Sequence, residues 1–130
     1  WVPVSGGQTV ATPAWSAGLV ALFAKEIKAG RPFVSVAFPG YRDFYAQAGA
    51  GESYGRIEYR DGRTFAESFK QSMGSGAPIV QIATWNDYGE GTGIEPTTER
   101  GTRDLEVIMR RLRPDADPAE LKKILEKHKR

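Results

Sequence analysis

The sequence predicts an α/β fold assembled from parallel βα units. Three observations predict it. Short runs rich in β-formers alternate with longer stretches of helical periodicity, and strands separated by helices pair in parallel through crossover connections. The chemically unusual segments all follow strands, whereas the helix-to-strand connections are short and plain. The chain has 130 residues, enough for one domain with a real core.

The elements follow in order. Residues 1–4 (WVPV) form a short extended run. Thr12 and Pro13 then offer an N-cap and a first-turn proline. Trp15, Leu19, Leu22, Phe23 and Ile27 recur at helical spacing until Gly30 and Pro32 stop the helix. FVSVAF (33–38) is a second strand, and a long loop runs from about residue 39 to 63. Thr64 and Glu67 have capping-box spacing ahead of a stripe made by Phe65, Phe69 and Met73, which Gly74 and Gly76 close. IVQIAT (79–84) is a third strand. A further helix carries Leu105, Ile108, Met109 and Leu112 on one face and ends before Pro114. The last begins at Asp117-Pro118, with Glu120 as box partner, and buries Leu121, Ile124 and Leu125. The expected division is a βα region over 1–113 and a C-terminal capping helix over 114–130.

Three parallel strands leave two unpaired edges, and a complete TIM-type (β/α)8 barrel takes about 250 residues. The chain therefore reads as about half of such a barrel, its sheet completed by self-association or by a missing N-terminal half. It opens on Trp1 rather than Met, which reads as a processed or trimmed form or a fragment.

Composition narrows the chemistry. Without cysteine, disulfides, thiolate catalysis and cysteine-bound metals are excluded. The single histidine, His128, sits near the C-terminus, which argues against a Ser-His-Asp triad or a histidine-ligated metal. If the chain catalyses anything, carboxylates are the expected acid and base. The net charge is only +2, and the terminal cluster Lys122, Lys123, Lys127, Lys129 and Arg130 reads as a solvated helix face, not a nucleic-acid surface. No apolar run reaches the roughly 20 residues of a membrane helix, and no signal peptide is visible. No cofactor is implied, and the compartment is open.

The stretch TWNDYGEGTGIEP (84–96) holds Asp87, Glu90 and Glu95 among Trp85, Asn86, Tyr88 and three glycines. Glycosidic bond cleavage needs two carboxyl groups, one to protonate the leaving oxygen and one to act as nucleophile or to activate water. Aromatic faces stack on sugar rings, asparagine meets hydroxyls with donors and an acceptor, and glycines admit close approach. Asp87, Glu90 and Glu95 are thus candidate acids, with Trp85, Asn86 and Tyr88 as substrate-binding candidates. Tyr41, Asp43 and Tyr45, with Phe44, lie in the loop after the preceding strand and would reach the same face, because parallel strands aim their carboxyl ends at a common rim. Each residue has a plainer role open to it. Asp87 fits an Asx turn, Glu95 a charge at a helix entry, Trp85 the core, and Tyr41 and Tyr45 the packing of their loop. The acid spacing does not match a calcium loop, and GEGTG does not match a nucleotide-binding glycine pattern.

The run ATWNDYGEGTGIEPT resembles the C-terminal signature of glycoside hydrolase families 71 and 99, and FVSVAFPGYRDF is similar to the strand and loop before it in family-99-like domains. The resemblance spans roughly residues 1–112. It implies a (β/α)8 barrel acting on α-linked glucan, mannan or related polysaccharide. Asn86, Asp87, Tyr88, Glu90 and Glu95 fall on its motif positions, and the acid matching Glu90 lies near the reacting sugar. The family-99 motif H-I-E-P-Y, which carries the principal catalytic acids, is absent, and Ile94–Pro96 belongs to the other signature. The expectation is a carbohydrate-related half-barrel of glycoside hydrolase type, without full catalysis in isolation and self-associating. An active hydrolase of α-linked polysaccharide using the loop carboxylates, or a carbohydrate-binding module, are the alternatives. The expected partner is an oligo- or polysaccharide.

Overall fold

The computed structural model describes residues 13–128. The strand expected at 1–4 and the Thr12 cap lie outside the described residues, as do the side chains of Trp15 and Leu19. The described chain forms two compact units, one up to Gly93 and a second from Ile94 onward.

In the first unit, helix α1 spans Pro13–Lys28. It ends as its glycine predicts: Gly30 takes a left-handed φ of 64°, and the Arg31 N–H reaches back 3.1 Å to the Glu26 carbonyl. Phe23 stacks on Phe33 at 5.2 Å, but Leu22 and Ile27 are exposed, so the expected apolar stripe is only partly covered.

Strand β1 (Val34–Ala37) pairs in parallel with β4 (Ile79–Ile82), with Val34 opposite Ile79 and Ala37 opposite Ile82. Between them run helix α2 (Arg63–Met73) and a small antiparallel hairpin, β2 (Tyr41–Arg42) with β3 (Arg56–Ile57). This hairpin falls inside the segment expected to be a plain loop. Two-residue strands are too short to show any periodicity. Gly40 precedes β2 because a Cβ there would stand 2.9 Å from the Ile57 carbonyl.

Helix α2 docks on β1 through small side chains. Ser35 and Ala37 are buried on the strand, Ser68 and Ser72 on the helix. The Ser68 hydroxyl accepts the Phe38 N–H at 3.0 Å and donates to the Phe38 carbonyl at 2.8 Å, while the Ser72 hydroxyl donates to the Val36 carbonyl at 2.7 Å. Such bonds keep the buried polar atoms satisfied where helix and strand approach closely. Phe65 and Phe69 stack at 5.6 Å and are buried. Burying each ring contributes about 1.5–3 kcal/mol. Phe38, Tyr41, Ile57 and Ala83 form the core cluster, with Val36 packed against it.

The capping box expected at Thr64 and Glu67 does not form. The helix begins two residues earlier, at Arg63, after a 3₁₀ turn (Arg60–Gly62) in which Arg60, Asp61 and Gly62 all have positive φ. That turn sends the Thr64 N–H to the Tyr59 carbonyl. The Thr64 hydroxyl is thereby released to donate to the Glu58 carbonyl at 2.5 Å, and Glu67 pairs with Arg60.

In the second unit, α3 (Arg103–Leu112) carries Asp104 and Glu106 in its first turn and Arg110 and Arg111 in its last, matching the helix dipole. The Thr102 hydroxyl donates to the Glu106 carboxylate at 2.7 Å. Helix α4 (Ala119–His128) starts as expected, the Asp117 carboxylate accepting the Ala119 N–H at 3.0 Å. Among the described residues no helix is long and apolar enough to cross a membrane.

Candidate functional site

The segment after β4 folds back on itself. The Thr84 N–H bonds the Thr92 carbonyl at 2.8 Å, and the two threonine hydroxyls meet at 3.1 Å. Inside this closure the Thr84 hydroxyl accepts the Asp87 N–H at 2.9 Å, and the Thr92 N–H reaches the Asp87 carbonyl at 3.1 Å. The glycines permit the turn. Gly91 has φ of 63°, and a Cβ on it would sit 3.2 Å from the Arg42 carbonyl.

That close approach joins two loops distant in sequence. Glu90 is held at three points. Its N–H donates to Asp87 Oδ1 at 3.0 Å, its carbonyl accepts the Arg42 N–H of β2 at 2.8 Å, and its Oε1 accepts the Tyr45 hydroxyl at 2.8 Å. The Tyr45 ring makes an edge contact with Tyr54 at 5.8 Å and 87°. Asp43 is buried beneath this loop, its Oδ2 accepting the Tyr54 N–H at 2.8 Å and the Tyr41 hydroxyl at 3.2 Å.

The structure thus brings Tyr41, Asp43 and Tyr45 together with Asp87 and Glu90. Trp85 and Tyr88 lie in the same loop and are 51% and 60% exposed, so neither is packed in the core. Asn86 is exposed, and its carbonyl accepts the Tyr88 N–H at 3.0 Å. Asp87 fills the turn-forming role its sequence position allowed, since one of its oxygens caps the Glu90 amide. Glu95 belongs to the second compact unit. Sequence reasoning missed Tyr54 and the backbone of Arg42. An aromatic next to glycines, in SYG, was the only signal for Tyr54; a main-chain contact leaves none.

The electrostatics follow from this packing. The Tyr45 hydroxyl is pushed up to about 12, first by its hydrogen bond to Glu90, then by burial and the charges of Glu90 and Asp87. Burial, the Glu90 charge and the Asp43 hydrogen bond drive Tyr41 well above the ordinary phenol range. Both phenols therefore remain neutral donors at physiological pH. Burial opposes ionisation of Asp43, yet the Tyr54 N–H and the Ser53 and Tyr41 hydroxyls outweigh it, and the carboxyl lies below its usual value. Its Oδ1 is buried without a hydrogen-bond partner.

Among solved structures, the chain is similar to the GH99 endo-α-mannosidase from Bacteroides thetaiotaomicron in complex with Bis-Tris-propane. The two share 27% identity over 62% of this chain and 24% of that one, with a TM-score of 0.50. A second structure of the GH99 endo-α-mannosidase from this organism matches at 23% identity, 62% and 23% coverage and a TM-score of 0.48. The chain spans about a quarter of the length of the solved structures it matches. No protein-family model and no curated protein matches it. The likeness is distant and partial, and it supports a GH99-like fold, with the small parallel sheet as part of a TIM-barrel-like glycoside hydrolase architecture.

Proposed function

We propose that this chain is a carbohydrate-recognising part of a glycoside-hydrolase-type barrel, about half of one, which binds α-linked oligo- or polysaccharide and does not complete catalysis alone. The observation that carries this reading is the three-point hold on Glu90 beside two exposed rings, Trp85 and Tyr88. A carboxylate fixed in place accepts sugar hydroxyls at low entropic cost, and open indole and phenol faces stack on the rings. The GH99 endo-α-mannosidase likeness favours α-linked mannose among the candidate sugars.

The hydrogen bonds of the acids support a binding role over catalysis. Hydrolysis needs two carboxyl groups at roughly 5–10 Å across one bond. Asp87 spends an oxygen on its own turn, and Glu90 spends one on Tyr45. Glu90 then serves as a binding group, with Asp87 holding it.

Calorimetry with α-linked manno- and gluco-oligosaccharides tests the reading, alongside an assay for new reducing ends. Binding without hydrolysis is expected. Trp85→Ala should weaken it by roughly threefold to tenfold, the worth of one aromatic stack at about 0.5–1.5 kcal/mol. Silence with every oligosaccharide, or undiminished binding by the variant, overturns the saccharide reading. Turnover overturns the non-catalytic part.

A further inference from the structure

Asp43 was expected to touch sugar, but its surroundings point elsewhere. It is 7% exposed, and Oδ2 is already occupied by the Tyr54 N–H and the Tyr41 hydroxyl. The donors that hold it belong to the protein and meet Oδ2, while Oδ1 is buried without a hydrogen-bond partner.

The bond to Tyr54 spans eleven residues and closes the loop that carries Tyr45. Little else does so. Residues 46–51 are AQAGAG, all exposed, with only local turn bonds such as Ala48 N–H to the Phe44 carbonyl at 2.9 Å. No large apolar side chain docks that stretch, so its order rests on its ends. One end is β2, paired to β3. The other is Tyr54, whose ring meets Tyr45 edge-on, and the Tyr45 hydroxyl in turn meets Glu90.

We propose that Asp43 is a positioning residue, which fixes Tyr54 and through it the Tyr45 ring, so that the Tyr45 hydroxyl locks the Glu90 carboxylate for its ligand. This rests on the reading of Glu90 as a sugar-binding group only in its last clause. The chain Asp43–Tyr54–Tyr45–Glu90 stands on geometry alone. Asp43 acts without touching the ligand, and Tyr54 joins the site as a buttress.

The test follows the Tyr45 ring by tyrosine-selective carbon NMR from pH 8 to 11, with far-UV circular dichroism confirming the fold. The titratable groups facing Tyr45 are Glu90, Asp87, Tyr54 and Tyr41. In the unaltered chain the Tyr45 hydroxyl should titrate well above the ordinary phenol value, because its bond to Glu90 holds the proton. Asp43→Asn and Tyr54→Leu should each raise its ionisation constant at least tenfold, by freeing the hydroxyl from Glu90. Tyr54→Leu keeps the backbone N–H that Asp43 binds and alters an exposed ring, so it decides the matter if Asp43→Asn does not fold. Unchanged Tyr45 titration in a folded Tyr54→Leu overturns the proposal, since a purely structural Asp43 would lower stability and leave Tyr45 where it is. Oligosaccharide calorimetry on the same variants reads the other question. A chain whose Tyr45 shifts as expected but which binds no sugar refutes the saccharide reading and leaves the positioning role intact.

Discussion

Single groups in the Tyr45 loop carry a pH dependence whose direction the structure fixes. Asp43 has a depressed folded value because its protein donors outweigh burial. Its contribution to stability is therefore complete above the unfolded aspartate value near about 3.9 and vanishes as pH falls through the lower folded value. The Tyr54 amide, which donates to Asp43, reports this directly. Its hydrogen-exchange protection should fall between pH 5 and 2 ahead of the amides of α2, and the decline should flatten in Asp43→Asn. Equal protection of Tyr54 at both ends of that range would count against an ionised Asp43 as the loop's clasp. The tyrosines behave oppositely. Tyr45 is raised to about 12, so what it contributes is intact below the ordinary phenol value of about 10 and lost only above it. The two limbs leave the Glu90 contact intact across neutral pH.

The elements hold together by a mixture of ring burial and hydroxyl bonding, and the two were unequally legible in the sequence. The Phe65 and Phe69 stripe announced α2 by its period, and FVSVAF and IVQIAT announced β1 and β4, because periodicity and β-propensity are local properties. Ser68 and Ser72 gave no such sign, since a serine in a helix reads as surface until the strand beneath it is known. Their bonds to Phe38 and Val36 are between residues about thirty positions apart. The β2–β3 hairpin was hidden for the same reason, and so was the early start of α2, set by three left-handed residues in a 3₁₀ turn. In the candidate site the acids and exposed aromatics were legible by type, whereas the split of labour between Asp87 and Glu90 needed the fold. The serine interface has a measurable consequence. Ser68→Ala removes both bonds to the Phe38 backbone in a buried setting, at a cost of about 1–3 kcal/mol. Urea denaturation should show this loss with little change in the helix content of the native state. A variant as stable as the parent would mean that the Ser68 bonds add nothing to the docking of α2.

At the scale of the sheet, the parallel pair is unusual for its class. Parallel strands are normally covered on both faces, and their edges are paired or shielded. Here the first rung of the ladder is open on both strands, with Val34 47% and Ile79 60% exposed and directly opposite each other. Among the described residues β1 and β4 pair only with one another. An apolar rung at the start of two parallel strands is what a larger barrel would cover with neighbouring strands and helices, in keeping with the quarter-length match to a GH99 structure. Self-association of the proposed half-barrel, with the same strands of a second copy extending the sheet, would answer this exposure. Light scattering at micromolar concentration should then give twice the chain mass. Ile79→Lys places a charge on the exposed rung, where edge strands use lysine to resist pairing, and should return the chain to a monomer with its circular dichroism unchanged. A parent chain that stays monomeric at high concentration would refute self-association.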